Sequence, residues 1–151
     1  MTTPEYDVVA VLRRGIADAL APLTLGEQGG QVHPYRLSSP TAPCMFVTLG
    51  DPSVSYDEAG NRGVDLYRLR IVAYAGAVDD EPSQRILDRW IAPSGAASVK
   101  GLCETDPTLG GVALDLRVTQ VSDYQVATRE GAGAVLAVVF DVEVYARGVS
   151  Q

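Results

Sequence analysis

The sequence predicts an α+β domain with a mainly antiparallel sheet and helices packed on one face. Three observations predict it. Helical and strand patterns do not alternate regularly along the chain, so repeated βαβ units are not expected. Two segments, around Val9–Leu23 and Ile86–Ile91, carry apolar residues at three- and four-residue spacing. Most other apolar residues fall in short alternating runs bounded by Gly, Pro, Asn and Asp. The expected order is helix, four short strands, helix, short helix, three strands.

In the first helix Thr3 reads as the N-cap and Pro4 as a first-turn residue. Val9, Leu12, Ile16, Leu20 and Leu23 form its apolar stripe, with Arg13, Arg14 and Asp18 on the other side. Pro22 and Gly26 end it, and a Gly-rich loop follows at 26–31. Val32–Tyr35 is at best an edge strand, because Pro34 cannot donate to a ladder. Residues 38–43 are a turn-rich connection. Cys44–Leu49 reads as a strand stopped by Gly50, Asp51 and Pro52. Residues 53–75 read as a hairpin, with turn chemistry at Glu58–Gly63 and a long second strand from Val64 to Tyr74. On that strand Tyr67, Leu69, Ile71 and Ala73 share one face, and Arg68, Arg70, Val72 and Tyr74 the other. Asp65 belongs with the hairpin tip. The mixed second face is expected to be partly exposed or to meet another subunit.

A second helix is expected after Asp79-Asp80, with Pro82 in its first turn and a stripe of Ile86, Leu87, Trp90 and Ile91; Pro93 stops it. Ser98 is placed to cap a short third helix through Leu102 and Cys103. Leu114, Leu116 and Val118 alternate with Asp115, Arg117 and Thr119 as a strand. Tyr124 and Val126 begin a further hairpin turned at 130–133. In the final strand, Ala134–Ala146, one face is Leu136, Val138, Phe140, Val142 and Val144. The other starts apolar and turns acidic at Asp141 and Glu143. A strand apolar on both faces over its first half is expected to be central.

The 151 residues read as a single domain, 1–151. A chain of that length buries roughly 70% of its unfolded surface, enough to fold without metal or disulfide. The formal charge of −7 argues against a protein that grips nucleic acid by neutralising phosphates. Lys100 is the only lysine; the lean toward Arg suits bidentate protein contacts, and GC-rich coding explains it equally well. Cys44 and Cys103 are isolated and read as small buried hydrophobes, reduced in the cytoplasm where the chain is made. Neither a signal peptide nor a membrane span is expected.

No catalytic constellation is visible. His33, the only histidine, precedes Pro34 in an edge segment and reads as a surface or loop residue. Asp79-Asp80-Glu81 suits a helix start better than a cation site, since hard cations need several oxygens converging from a shaped loop. Asp57 and Glu58 read as a solvated hairpin tip. The glycines at 26, 29, 30, 60 and 63 match no phosphate-loop pattern, and Gly110-Gly111 reads as a turn. No cofactor, metal or enzymatic activity is expected.

Several stretches resemble the tail-terminator (tail-completion) and related minor tail proteins of long-tailed bacteriophages. They are the opening helix with LRRGIADAL, the strand–turn–strand unit of residues 50–76, the helix–break–helix of residues 84–104, and TLGGVALDLRVTQVSDYQV with the final strand. The match is one of pattern and order over most of the chain. It implies a structural virion protein in the neck region, assembled in the host cytoplasm as a homo-hexameric ring. Such a ring caps the head-proximal end of the tail tube, ends its polymerisation and offers a surface to head-completion proteins, while duplex DNA passes through. A head–tail connector is a related alternative, and a small-ligand-binding domain or enzyme is one of another class. Tyr56, Asp57, Arg62, Arg68 and Arg70 are the candidate subunit-interface residues; Arg68 and Arg70 serve equally well as solvated positions on an exposed sheet face.

Overall fold

The computed structural model describes residues 7–23, 32–36, 43–57, 63–77, 81–129 and 133–147. In chain order these form α1 (Val8–Leu20), β1 (Val32–His33), β2 (Cys44–Ser55), β3 (Val64–Ala77), α2 (Glu81–Ile91), α3 (Val99–Thr105), β4 (Asp115–Arg129) and β5 (Gly133–Arg147). A short 3-10 turn, Leu109–Gly111, precedes β4. The five strands make one sheet in the order β1-β2-β3-β5-β4. All pairings are antiparallel except that of β1 with β2. The architecture is the α+β class expected, and β5 lies between two long partners as its apolar faces required.

All three helices contribute to one core on one side of the sheet. Leu12, Ile16 and Leu20 of α1, Leu87 and Trp90 of α2, and Val99 and Cys103 of α3 belong to it. They meet Met45, Val47, Leu69, Ile71, Val138 and Phe140. Removing this apolar surface from water is the main term that holds the elements together. The alternation on β3 places Tyr67, Leu69, Ile71 and Ala73 in the core, with Arg68, Arg70, Val72 and Tyr74 half-buried on the opposite face. That opposite face is uneven. Cys44, Phe46, Ala137 and Val139 are buried on it, and the rings of Phe46 and Tyr74 lie 6.1 Å apart. Farther along, the charged positions are accessible.

Neither cysteine forms a disulfide, and both are buried. Burial pushes the Cys103 thiol up to about 12, and the negative charge of Glu104 adds to this. Because the thiolate is the reactive species, a disulfide reagent such as DTNB should label neither cysteine in the folded protein and both after unfolding in guanidinium. Rapid labelling of the folded chain, read at 412 nm, contradicts this burial.

Several local expectations are corrected. The side chain of Asp7 accepts from the Ala10 amide at 3.2 Å, so Asp7 caps α1; Thr3 and Pro4 lie outside the described residues. Gly50, Asp51 and Pro52 do not stop the strand, because β2 continues to Ser55 through a register shift between Leu49 and Val54. Such a bulge accommodates a proline inside a strand. Asp115–Arg129 is likewise one strand with two register shifts, not two strands. Leu114 precedes it and is exposed, and Ile91, the last residue of α2, is exposed as well. The loop at 26–31, the connection at 38–42, Asp79-Asp80 and the turns at 58–62 and 130–132 lie outside the described residues. Ser98 does cap α3, accepting from the Gly101 amide at 2.9 Å.

Candidate functional site

The accessible half of the helix-free sheet face carries rows of paired charge. Arg70 and Asp141 are register partners on β3 and β5, as are Arg68 and Glu143. On the other side of β5, Gln120 is the partner of Asp141 and Arg117 the partner of Glu143. Each acid of β5 thus sits between a cation of β3 and a polar or basic residue of β4. Arg70 Nε lies 3.2 Å from Asp141 Oδ1, and Gln120 Nε2 donates to Asp141 Oδ2 at 2.6 Å. Arg68 Nε lies 3.9 Å from Glu143, while its Nη1 donates to Ser55 Oγ at 2.7 Å. Opposite charges placed directly across strands attract, and half exposure keeps each pair to about 1 kcal/mol or less.

A groove of about 400 Å³ runs over this ladder, lined by Gly50, Asp51, Arg68, Arg70, Gln120 and Asp141 among others. Gly50 approaches β3 closely: a Cβ there would lie 3.1 Å from the Cβ of Arg68. The arrangement leaves planar guanidinium and carboxylate groups partly accessible, groups whose geometry suits bidentate hydrogen bonds. Among the described residues, no group of three or more His, Cys, Asp or Glu side chains comes together as a metal site.

The five sequence-predicted interface residues separate. Arg68 and Arg70 lie in the groove. Tyr56 and Asp57 lie at the hairpin end of β2, where Tyr56 is 75% exposed. Asp57 has a positive φ of 56°; its amide donates to Asp65 at 2.9 Å and its carboxylate accepts from Gly63 at 3.1 Å. Asp57 therefore shapes the hairpin, a left-handed position that Asp tolerates. Arg62 lies outside the described residues. Sequence reasoning missed the pairing of Asp141 and Glu143 with Arg70 and Arg68. The signal was the two-residue spacing of each set, which an antiparallel register brings opposite.

Charged side chains also bond to backbone groups near both sheet edges. Arg13 of α1, expected on the side opposite the apolar stripe, donates through Nη1 to Val47 O at 2.7 Å and Pro34 O at 3.2 Å. Its guanidinium stacks 4.9 Å from the Tyr35 ring centroid. It serves the β2 backbone where two-residue β1 has run out. His33, read as a surface residue, has a buried Nε2 without a partner among the described residues. At the other edge Lys100 Nζ donates to Val118 O at 3.1 Å, and Glu104 Oε2 accepts from Val118 N at 2.9 Å. Burial raises the pKa of Glu104, but the bonds from Lys100 and Val118 and the charges of Lys100 and Arg117 outweigh it and hold the carboxyl below its usual range.

An apolar cleft of about 430 Å³ between α1 and the 107–111 region is bordered by Asp18 and Asp106. Asp106 braces its own loop, accepting from the Thr108 hydroxyl, the Gly110 amide and the Thr108 amide, which lower its pKa. No described helix is long and apolar enough to cross a membrane. Comparison with protein-family models and with curated proteins finds no match.

Proposed function

We propose that this chain is a non-catalytic ring subunit that caps the head-proximal end of a long-tailed phage tail tube. In this reading it ends polymerisation of the tube protein and presents a surface to the head-completion proteins. The observation that carries the reading is the open half of the sheet face, with the Arg68/Glu143 and Arg70/Asp141 rows over a shallow groove. A closed ring of identical subunits needs two different patches on one chain. The charged ladder supplies one, and the hairpin end with exposed Tyr56 supplies a second. The order of elements along the sequence supports the same assignment through its resemblance to tail terminators. The charge of −7 suits a channel that passes duplex DNA without holding it; a basic lumen in an assembled ring contradicts that part.

The test is assembly. Co-expression with the cognate tube protein should give tubes of limited length, each ended by this chain, and a six-fold mass should appear in light scattering of the isolated protein or on the tube. The double substitution Arg68→Ala and Arg70→Ala should abolish ring formation and length control while lowering stability by no more than about 2 kcal/mol, since two half-exposed pairs are lost. Tubes of uncontrolled length in the presence of the parent chain reject the proposal.

A further inference from the structure

We propose that Lys100 and Glu104 lock the outer edge of β4 against a second copy of this chain, which would otherwise add its own β4 there. The strand order leaves β4, fifteen residues long, as the outer strand at one edge of the sheet. Unpaired edge groups are a template for another strand. Val118 turns both its N–H and its C=O away from β5, and α3 satisfies both, so neither is left for a neighbouring strand. The spacing of four residues places Lys100 and Glu104 on one face of α3, and they bind each other at 2.5 Å. Buried Val99 and Cys103, with the Ser98 cap, fix the helix that carries them. The lock is therefore held by the core.

A second copy is the occupant because the edge is complementary to itself. Asp115 and Arg117 share one face and flank Leu116. An antiparallel two-fold pairing centred on Leu116 sets each Asp115 opposite the other copy's Arg117, a favourable cross-strand pair in an isologous contact. Within one chain these two side chains lie 3.8 Å apart and largely exposed, free to exchange partners in this way. The inference does not rest on the ring reading, since it concerns the edge and not the open face.

The test uses the full chain carrying Arg68→Ala and Arg70→Ala, so that any ring contact is removed and edge pairing reads alone. Adding Glu104→Ala should produce a two-fold mass that grows with concentration in light scattering. Adding Asp115→Arg to that variant should return the starting mass, because Arg then faces Arg. Glu104→Gln still accepts from the Val118 amide and should keep the starting mass. An unchanged mass for Glu104→Ala at all concentrations overturns the proposal, as does association that Asp115→Arg leaves intact or that Glu104→Gln also shows. If Glu104→Ala does not fold by circular dichroism, Lys100→Met, which uncovers only the Val118 carbonyl, is judged by the same mass and the same Asp115→Arg reversal.

Discussion

Trp90→Ala should lower stability by about 3–5 kcal/mol, the cost of emptying a large aromatic site in a packed core. Trp90 is 1% exposed and sits on α2 beside the equally buried Leu87. A domain of this size has roughly 5–15 kcal/mol in hand, so the loss is a large share of the total. The melting temperature should fall by roughly 10 °C or more, read by far-ultraviolet circular dichroism because the substitution removes the only tryptophan. Ile91→Ala, one residue on, should cost about 1 kcal/mol or less, because Ile91 is exposed. Equal losses at the two positions contradict the placement of α2.

Gly76→Val should be the most damaging small change in the sheet. Gly76 has a φ of 151° and sits at the register shift between Tyr74 and Gly76 on β3. A Cβ there would run into Ser83 Oγ and approach Ser83 Cβ to 3.2 Å, and Ser83 is buried on the first turns of α2. Backbone strain costs about 1–3 kcal/mol, and overpacking costs about 1–3 kcal/mol more. The two parts are separable. Ser83→Gly in a Gly76→Ala background should recover the overpacking and leave the strain, a coupling of about 1 kcal/mol or more in a double-mutant cycle by urea unfolding. Additive losses contradict the contact.

The sequence reading was strongest where one periodicity dominates. The stripe Leu12, Ile16, Leu20 and the two faces of β3 and β5 are as the spacing required, because burial on one side fixes them. It failed at bulges. Gly50-Asp51-Pro52 has the composition of a stop, yet neighbouring β3 holds β2 in the sheet on both sides of it. Arg13 has strand-edge partners that its place opposite the apolar stripe does not announce, and so do Lys100 and Glu104. These have the composition of a solvated helix face, and only the tertiary placement of two strand edges gives them backbone partners. For the candidate site, Arg68 and Arg70 were visible as charges on a mixed face. Their acids come from a strand at the far end of the chain, and no local pattern announces a register.

That register has a kinetic meaning. The β2–β3 and β4–β5 hairpins each close over a short connection and can form from neighbouring residues. The β3–β5 ladder joins Ile71 to Phe140 and must gather α2, α3 and β4 within the loop it closes. Loop-closure entropy is spent before those contacts return anything, so a centre built this way makes for slow folding. Until the two halves meet, the apolar faces of β5 stay open to other chains.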